Sequence, residues 1–187
     1  MGDVSPEHKL LQEIAGGDSL ALQKLFARHS VRVFRFVVRV VRNDALAEEI
    51  VNEVFVDVWR HAGRYEGRSA PLTWILAIAH NKARSALRKR TEDSLDEDKA
   101  GEIADESDNP EVIAQKGDIG VVLRQCLQKL TREHREIIDL VYYHERSVEE
   151  ASEILGIPEG TVKTRMFHAR KKLSELLKNA GIDRGWP

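Results

Sequence analysis

Apolar residues recur at intervals of three and four along most of this chain, and nowhere does the one-in-two alternation of a half-buried strand appear. That spacing commits the chain to amphipathic helices packed on one another. Aromatic residues make up only 6% of the sequence and charged residues 32%, a balance that suits helical bundles better than a β-sandwich. The periodicity stops once, over residues 93–111, where Asp96, Glu97, Asp98, Glu102, Asp105, Glu106 and Asp108 crowd together and Asn109-Pro110 interrupts. Such a stretch buries too little apolar surface to offset the entropy of ordering it. The expected architecture is therefore all-α: two small helical domains joined by a flexible acidic linker. The first is a helical bundle over 1–92, the linker covers 93–115, and the second occupies 116–187.

Punctuation places the helices. The first is expected over 7–15, ended by Gly16-Gly17, with Asp18 or Ser19 capping the next. The second runs from 20 towards 42, with a break expected near Ser30. Asn43-Asp44 caps a third over 45–61. A polar loop with two glycines follows over 63–70, and Pro71 opens a fourth reaching about Arg90. Beyond the linker, helices are expected over 112–130, 132–143, 147–155 and 158–178.

The formal net charge of -2 hides an asymmetry. Residues 1–92 hold 15 basic and 11 acidic residues, a net +4; residues 93–115 hold 1 and 9, a net -8; residues 116–187 hold 13 and 11, a net +2. Two basic ends flank an acidic middle. One cysteine, Cys126, excludes an intrachain disulfide and fits a reducing cytosol. It lies in an apolar stripe with Val122, Leu123, Leu127 and Leu130, which favours a buried small residue over a redox sensor. Residues 31–41 carry Arg32, Arg35 and Arg39 at helical spacing, giving an amphipathic helix rather than a membrane span. No secretory signal is read at the N-terminus. No Gly-rich phosphate loop, nucleophile motif or zinc-protease spacing occurs, so neither enzyme activity nor a metal or other cofactor is expected.

The segment 147–178 carries the clearest local signal. Ser147 to Leu155 gives a short helix, Gly156 a tight turn, and Pro158 a start for a second helix, as in a helix-turn-helix. At 100° per residue, Val162, Met166, Ala169, Leu173, Leu176 and Leu177 share one face. Gly160, Thr164, Phe167, His168 and Lys171 fall on or near the other, flanked by Thr161, Lys163 and Arg165. An outward Phe167 among basic and hydroxyl residues can meet a thymine methyl in a major groove, while Thr164 and Lys163 can reach base edges and Lys171 a phosphate. A solvated helix docked on its own domain fits the same pattern.

The first half supplies a more specific resemblance. Ala47-Glu48-Glu49-Ile50-Val51-Asn52-Glu53-Val54-Phe55-Val56-Asp57-Val58-Trp59 precedes Trp74-Ile75-Leu76-Ala77-Ile78-Ala79-His80-Asn81 and then Arg88-Lys89-Arg90. This order resembles the promoter-melting domain of the sigma-70 family of bacterial transcription initiation factors. Leu130-Thr131-Arg132-Glu133-His134-Arg135-Glu136 with the helix-turn-helix resembles that family's other DNA-binding domain. Two domains alone resemble the extracytoplasmic-function subgroup.

The resemblance implies a cytoplasmic protein that binds core RNA polymerase through its beta-prime and beta subunits, reads promoter DNA at the -10 and -35 elements, and is held in check by an anti-sigma factor. It assigns Glu49, Asn52, Glu53 and Asp57 to the polymerase. It assigns Trp74, His80, Asn81, Arg84, Arg88 and Arg90, with the loop 63–70, to the captured single strand. Gly160, Thr161, Lys163, Thr164, Arg165, Phe167, His168 and Lys171 go to the -35 element. The linker would thread through polymerase towards the RNA exit path. Three positions depart from the family pattern: Asn52 where Gln is commoner, His80 where Arg is commoner, and Ser85 where Asp is commoner. Trp74 can stack on a base or fill the core. A stand-alone helix-turn-helix regulator is the rival reading.

Overall fold

A computed structural model describes residues 5–96 and 119–182, with eight α-helices among them. The acidic run expected as a linker lies almost wholly outside the described residues. Helix α1 spans Pro6–Ala15, α2 Ser19–Val41, α3 Asp44–His61 and α4 Pro71–Asp96. In the second half, α5 spans Ile119–Gln128, α6 Arg132–Ile138, α7 Val148–Leu155 and α8 Glu159–Asn179. No strand occurs among the described residues.

The caps explain most boundaries. Asp18 accepts hydrogen bonds from the Leu20 and Ala21 amides at 2.8 and 3.2 Å, starting α2. Asn43 accepts from the Leu46 amide at 2.8 Å and starts α3. Each cap satisfies donors that an open helix end would leave unpaired. Three boundaries differ from expectation. Helix α2 is continuous through Ser30, because residues 19–41 contain no glycine or proline and their apolar stripe stays in register. Helix α4 runs six residues past Arg90, since nothing in 91–96 stops a helix. Its last residues therefore occupy positions expected in the linker. After Ile138 the helix widens into a π turn, Asp139–Tyr143, closed by the His144 amide on the Asp139 carbonyl at 3.0 Å. The extra residue in that turn returns both Asp139 and His144 to the buried face, 5% and 7% exposed.

The first half is a bundle in which α2 packs on α3 and α4 while α1 closes one end. Leu25, Val33, Phe36, Val37, Val54, Val58, Ile75 and Leu76 are fully buried or nearly so. The stripe expected for α3, namely Ile50, Val51, Val54, Phe55 and Val58, is buried throughout. In the second half, Ile137, Leu140, Ile154, Val162 and Ala169 form the interior. Cys126, Leu173 and Leu177 make a smaller cluster between α5 and α8.

The two halves do not stand apart. Their apolar interiors merge into one continuous core, with α4 packed on α7 and α2 on α6. Phe36 of α2 meets His144 edge to face, ring centroids 5.7 Å apart, and lies 6.3 Å from the His80 ring. Polar contacts ring this seam. Arg39 pairs with the buried Asp139 and lies over the Tyr143 ring at 4.2 Å. His80 Nε2 is 3.7 Å from Glu136, both side chains buried. Thr73 donates to Glu150 and Ser69 to Glu153, each at 2.6 Å. Burial alone would raise the Glu150 pKa, but the hydrogen bonds from Thr73 and the Ser147 amide, with Arg146 at 2.8 Å, hold it below the usual carboxylate range.

His144 makes the fold sensitive to acid. Burial first, then Arg39, Arg146, Arg32 and Arg35, push its pKa down to about 4, even though the Asp139 carboxylate lies 3.3 Å away. The unfolded chain therefore binds a proton that the folded chain refuses across the interval from about 6.5 down to about 4. That stabilisation is complete above the upper value and is lost as pH falls through the interval. Thermal unfolding followed by circular dichroism is expected to show a midpoint that drops between pH 6.5 and 4. His144→Gln should flatten the part of that drop due to this residue.

Candidate nucleic-acid interface

Helix α8 presents the face expected of a reading helix. Ser147 caps α7 in a reciprocal capping box with Glu150, and Gly156 ends it in the left-handed region at φ 63°. The Ser152 hydroxyl donates to the Ile157 carbonyl at 2.6 Å and fixes the turn. Pro158 then stands just before α8. Val162, Ala169, Leu173 and Leu177 point inward, with Met166 and Leu176 packed against the core. Gly160, Lys163, Thr164, Phe167, His168 and Lys171 are exposed, while Thr161 and Arg165 are half-buried. Phe167 is 62% exposed and contacts the His168 ring edge to face at 5.4 Å. Thr164 donates its hydroxyl to the Gly160 carbonyl at 2.9 Å, so its oxygen remains available as an acceptor towards a base edge. Lys163 sits 3.6 Å from Glu159, an exposed pair that a phosphate can displace at little cost.

A second basic surface lies on α4. Ile75, Leu76, Ala79 and Ala83 anchor this helix in the core. Asn81, Arg84, Arg88, Lys89 and Arg90 are exposed along the opposite side. A groove of about 600 Å³ runs beside them, lined by Asn81, Arg84, Ser85, Leu87, Arg88, Thr91 and, from α6, Arg132. His80 does not join this face. It is 2% exposed and turned into the seam against Glu136 and Phe36. One step along a helix rotates a side chain by about 100°, enough to carry His80 away from its neighbour Asn81. Trp74 is half-buried and tilts against Tyr65 at 5.3 Å. The loop before α4 is tied down by the Tyr65 hydroxyl, which donates to the Ser69 carbonyl and lies 2.8 Å from His8 Nε2. Gly67, at φ 72°, takes a conformation that other residues rarely adopt.

A third surface is acidic and apolar. Glu49, Asn52 and Glu53 are exposed on α3 and Asp57 is half-buried. Lys82 of α4 bridges two of them, 3.2 Å from Glu53 and 2.9 Å from Asp57, which hold its pKa above the usual lysine value against the cost of burial. Between α3 and α4, a groove of about 760 Å³ brings Glu49, Glu53 and Asp57 opposite Asn81, Lys82, Lys89 and Arg90. Sequence reasoning did not find this bridge, because Lys82 lies 25 to 29 positions from its partners. It also passed over exposed apolar residues beside Asn52. Phe26, Val31, Val56 and Trp59 are 38%, 57%, 46% and 38% exposed. Phe26 and Val31 line a trough with Ser30, Phe34, Glu48, Val51 and Asn52. The residues that break an otherwise polar helix face were the available signal.

The turn of the reading motif offers a direct check. Gly156 has no atom within 4 Å of a would-be Cβ, so Gly156→Ala meets only the backbone penalty of the left-handed region, roughly 1–2 kcal/mol. Urea unfolding of that variant should show a loss of this size.

Comparison with known proteins matches these surfaces to two family models. Residues 25–92 match Sigma-70 region 2, and residues 121–173 match Sigma-70, region 4. The chain is 35% identical to the RNA polymerase sigma factor CarQ of Myxococcus xanthus over 89% of its own length and 95% of that protein's. It is 30% identical to the ECF RNA polymerase sigma factor SigK of Mycobacterium tuberculosis, covering 90% of this chain and 91% of that one. Among solved structures, the sigma factor RpoE in complex with the anti-sigma factor NepR from Bartonella quintana matches with a TM-score of 0.72 and 28% identity, over 87% of this chain and 98% of that chain. CnrH in complex with the cytosolic domain of CnrY shares the fold, with a TM-score of 0.67 at 24% identity, over 92% and 97% of the two chains. The two halves of the chain thus match two regions of one family, and the chain belongs to the extracytoplasmic-function sigma factors of the sigma-70 family, which direct RNA polymerase to promoters.

Proposed function

We propose a division of labour in which residues 1–92 dock on core polymerase and hold the opened -10 element, while residues 116–187 read the -35 element. The observation that carries it is the presence, in one chain, of an exposed basic face on α4 and an exposed Thr164–Phe167–His168 face on α8, each within its own matched region. Asn81, Arg84, Arg88 and Arg90 supply cations and an amide along a strand's phosphates, and Trp74 with the loop 63–70 borders the place where an unstacked base can lodge. Glu49, Asn52, Glu53 and Asp57 form the polar part of the polymerase-docking face. Phe26, Val31 and Trp59 add apolar area that a complementary helix pair would cover.

In this reading the chain contributes binding and strand capture, and polymerase supplies the chemistry. The acidic segment 93–115 passes through polymerase, its charge standing in for nucleic acid against basic walls. Cytoplasmic placement follows from the partner. No helix among the described residues is long and apolar enough to cross a membrane. RpoE and CnrH are each solved with a protein bound, NepR and CnrY. By analogy, an anti-sigma factor covers the docking face on α3.

Run-off transcription with core polymerase on a promoter library tests the assignment, and no initiation above core alone would refute it. Within that assay, Phe167→Ala should reduce the preference for the cognate -35 element over base-substituted versions by about 1 kcal/mol. Lys171→Ala should instead weaken binding on all sequences alike and lower the salt slope by roughly one unit. Equal effects of both changes on every sequence would remove α8 from base reading.

A further inference from the structure

Helix α1 lies ahead of residues 25–92, the stretch that matches Sigma-70 region 2, yet its first turn reaches the loop 63–70. Two consecutive residues of that turn serve different parts of the first half. One step along a helix rotates a side chain by about 100°, so Glu7 and His8 meet different neighbours. Glu7 lies 3.1 Å from the buried His29 ring and 3.6 Å from Arg28, both on α2. His8 meets the loop instead, its Nε2 2.8 Å from the Tyr65 hydroxyl. Leu11 and Ile14 are buried and anchor the helix beneath these contacts.

The protons along this contact have one consistent arrangement. The Ser69 carbonyl can only accept, so the Tyr65 hydroxyl proton goes to it. His8 Nε2 must then carry a proton and donate to the Tyr65 oxygen. That leaves His8 Nδ1 to accept from the Ser5 hydroxyl at 2.8 Å. Burial first, then Glu153 and Glu7, raise the Tyr65 pKa, so the hydroxyl keeps the proton it donates. Tyr65 thereby ties residue 65 to residue 69, and Glu66, Gly67 and Arg68 between them are exposed. Gly67 makes the reversal at φ 72°, with the His8 ring 3.6 Å from where its Cβ would stand. The Tyr65 ring packs on His8 and Trp74, each with its centroid 5.3 Å away. The Ser69 hydroxyl goes to Glu153 of α7, whereas its carbonyl is held by Tyr65, so the backbone shape of 65–69 is fixed within the first half.

We propose that α1 is the template of the base-capturing loop, with His8 and Tyr65 as positioning residues that hold 65–69 in one shape and so set which base the loop accepts. The inference rests on the assignment of the loop 63–70 to the opened -10 element. Neither ring has to touch DNA for this. A loop with a preset shape loses little conformational freedom on binding. A wrong base must then deform it or leave a polar group unpaired. A loop free to rearrange repacks around more than one base and discriminates less. The sequence hides this role, because His8 lies 57 positions from Tyr65 and outside the matched region.

The test uses holoenzyme assembled from core polymerase and the full chain, on the promoter that run-off transcription selects, prepared as a fork with its -10 bases unpaired. The readout is the preference for the cognate -10 sequence over base-substituted versions, with the same ratio for the -35 element as internal reference. Tyr65→Phe keeps the ring and removes the hydroxyl, and His8→Ala removes the donor to it. Each should lower the -10 preference about fivefold, the worth of an ordinary hydrogen bond, and leave the -35 preference unchanged. The double variant should lose no more than either single one, because both changes break one chain of bonds. His8→Gln, which returns an N–H donor at similar reach, should keep most of the preference that His8→Ala loses. Circular dichroism identifies any variant that fails to fold, and Tyr65→Phe, the loss of one oxygen, then carries the test. Losses that add in the double variant, or that fall equally on the -35 ratio, overturn the inference. Wild-type holoenzyme separates the two readings. If it discriminates at -10 and folded Tyr65→Phe discriminates equally well, the positioning role alone falls. If it initiates without discriminating at -10, the assignment of the loop falls, and the positioning role with it.

Discussion

Everything in this structure depends on α4 having three different faces. Ile75, Leu76, Ala79 and Ala83 are buried against the first-half bundle. Asn81, Arg84, Arg88 and Arg90 stay in solvent. Thr73 and His80 turn towards the second half. A helix of one residue type per face cannot satisfy all three, which is why its apolar stripe is weak beside that of α2. The small residues Ala79 and Ala83 let α4 lie close to its neighbours without demanding a wide apolar band. That economy leaves the rest of the circumference for charge. The same helix therefore anchors the bundle, leaves a row of cations in solvent and carries half of the seam.

Lys82 extends this argument to the opposite side of α4. Its ammonium group is shared by Glu53 and Asp57, so two of the carboxylates assigned to polymerase docking are already held in place by the helix assigned to DNA. A partly buried lysine with two acidic partners stays charged, and here it ties α4 to α3. The acidic side of α3 and the basic side of α4 thereby belong to one linked pair of helices. Glu49 and Asn52 have no such tie to Lys82 and remain the more adjustable part of the acidic face.

Local chemistry was legible in the sequence wherever a few neighbouring residues decide the outcome. Asp18, Asn43, Ser147 and Gly156 mark helix ends because each satisfies or frees backbone groups within a turn of itself. The stripe of α3 and the inward set of α8 follow from helical periodicity alone, and Phe167 was readable as exposed for the same reason. What was not legible depends on distant partners. The π turn at Asp139–Tyr143 is tied to the burial of Asp139 and His144 against Arg39 and Phe36, residues about a hundred positions earlier. His80 reads as a member of the basic helix, and only the presence of Glu136 shows where it points. The continuity of α2 through Ser30 was hidden because a single serine is a poor predictor of a break when the stripe on both sides is unbroken.

The size of the second half explains why the seam matters physically. Its α6 and α7 are 7 and 8 residues long, too short to hold a helical conformation without packing. Part of that packing is Ile137, Ile138, Leu140, Ala151, Ile154 and Leu155, and it is continuous with the core of the first half. Opening therefore exposes apolar surface as well as breaking Arg39–Asp139 and the two hydroxyl–carboxylate bonds. A ligand that binds both states equally would leave the halves together, however tightly it bound. Only a partner that contacts surfaces available after separation, or that replaces the lost burial with its own, can shift the balance.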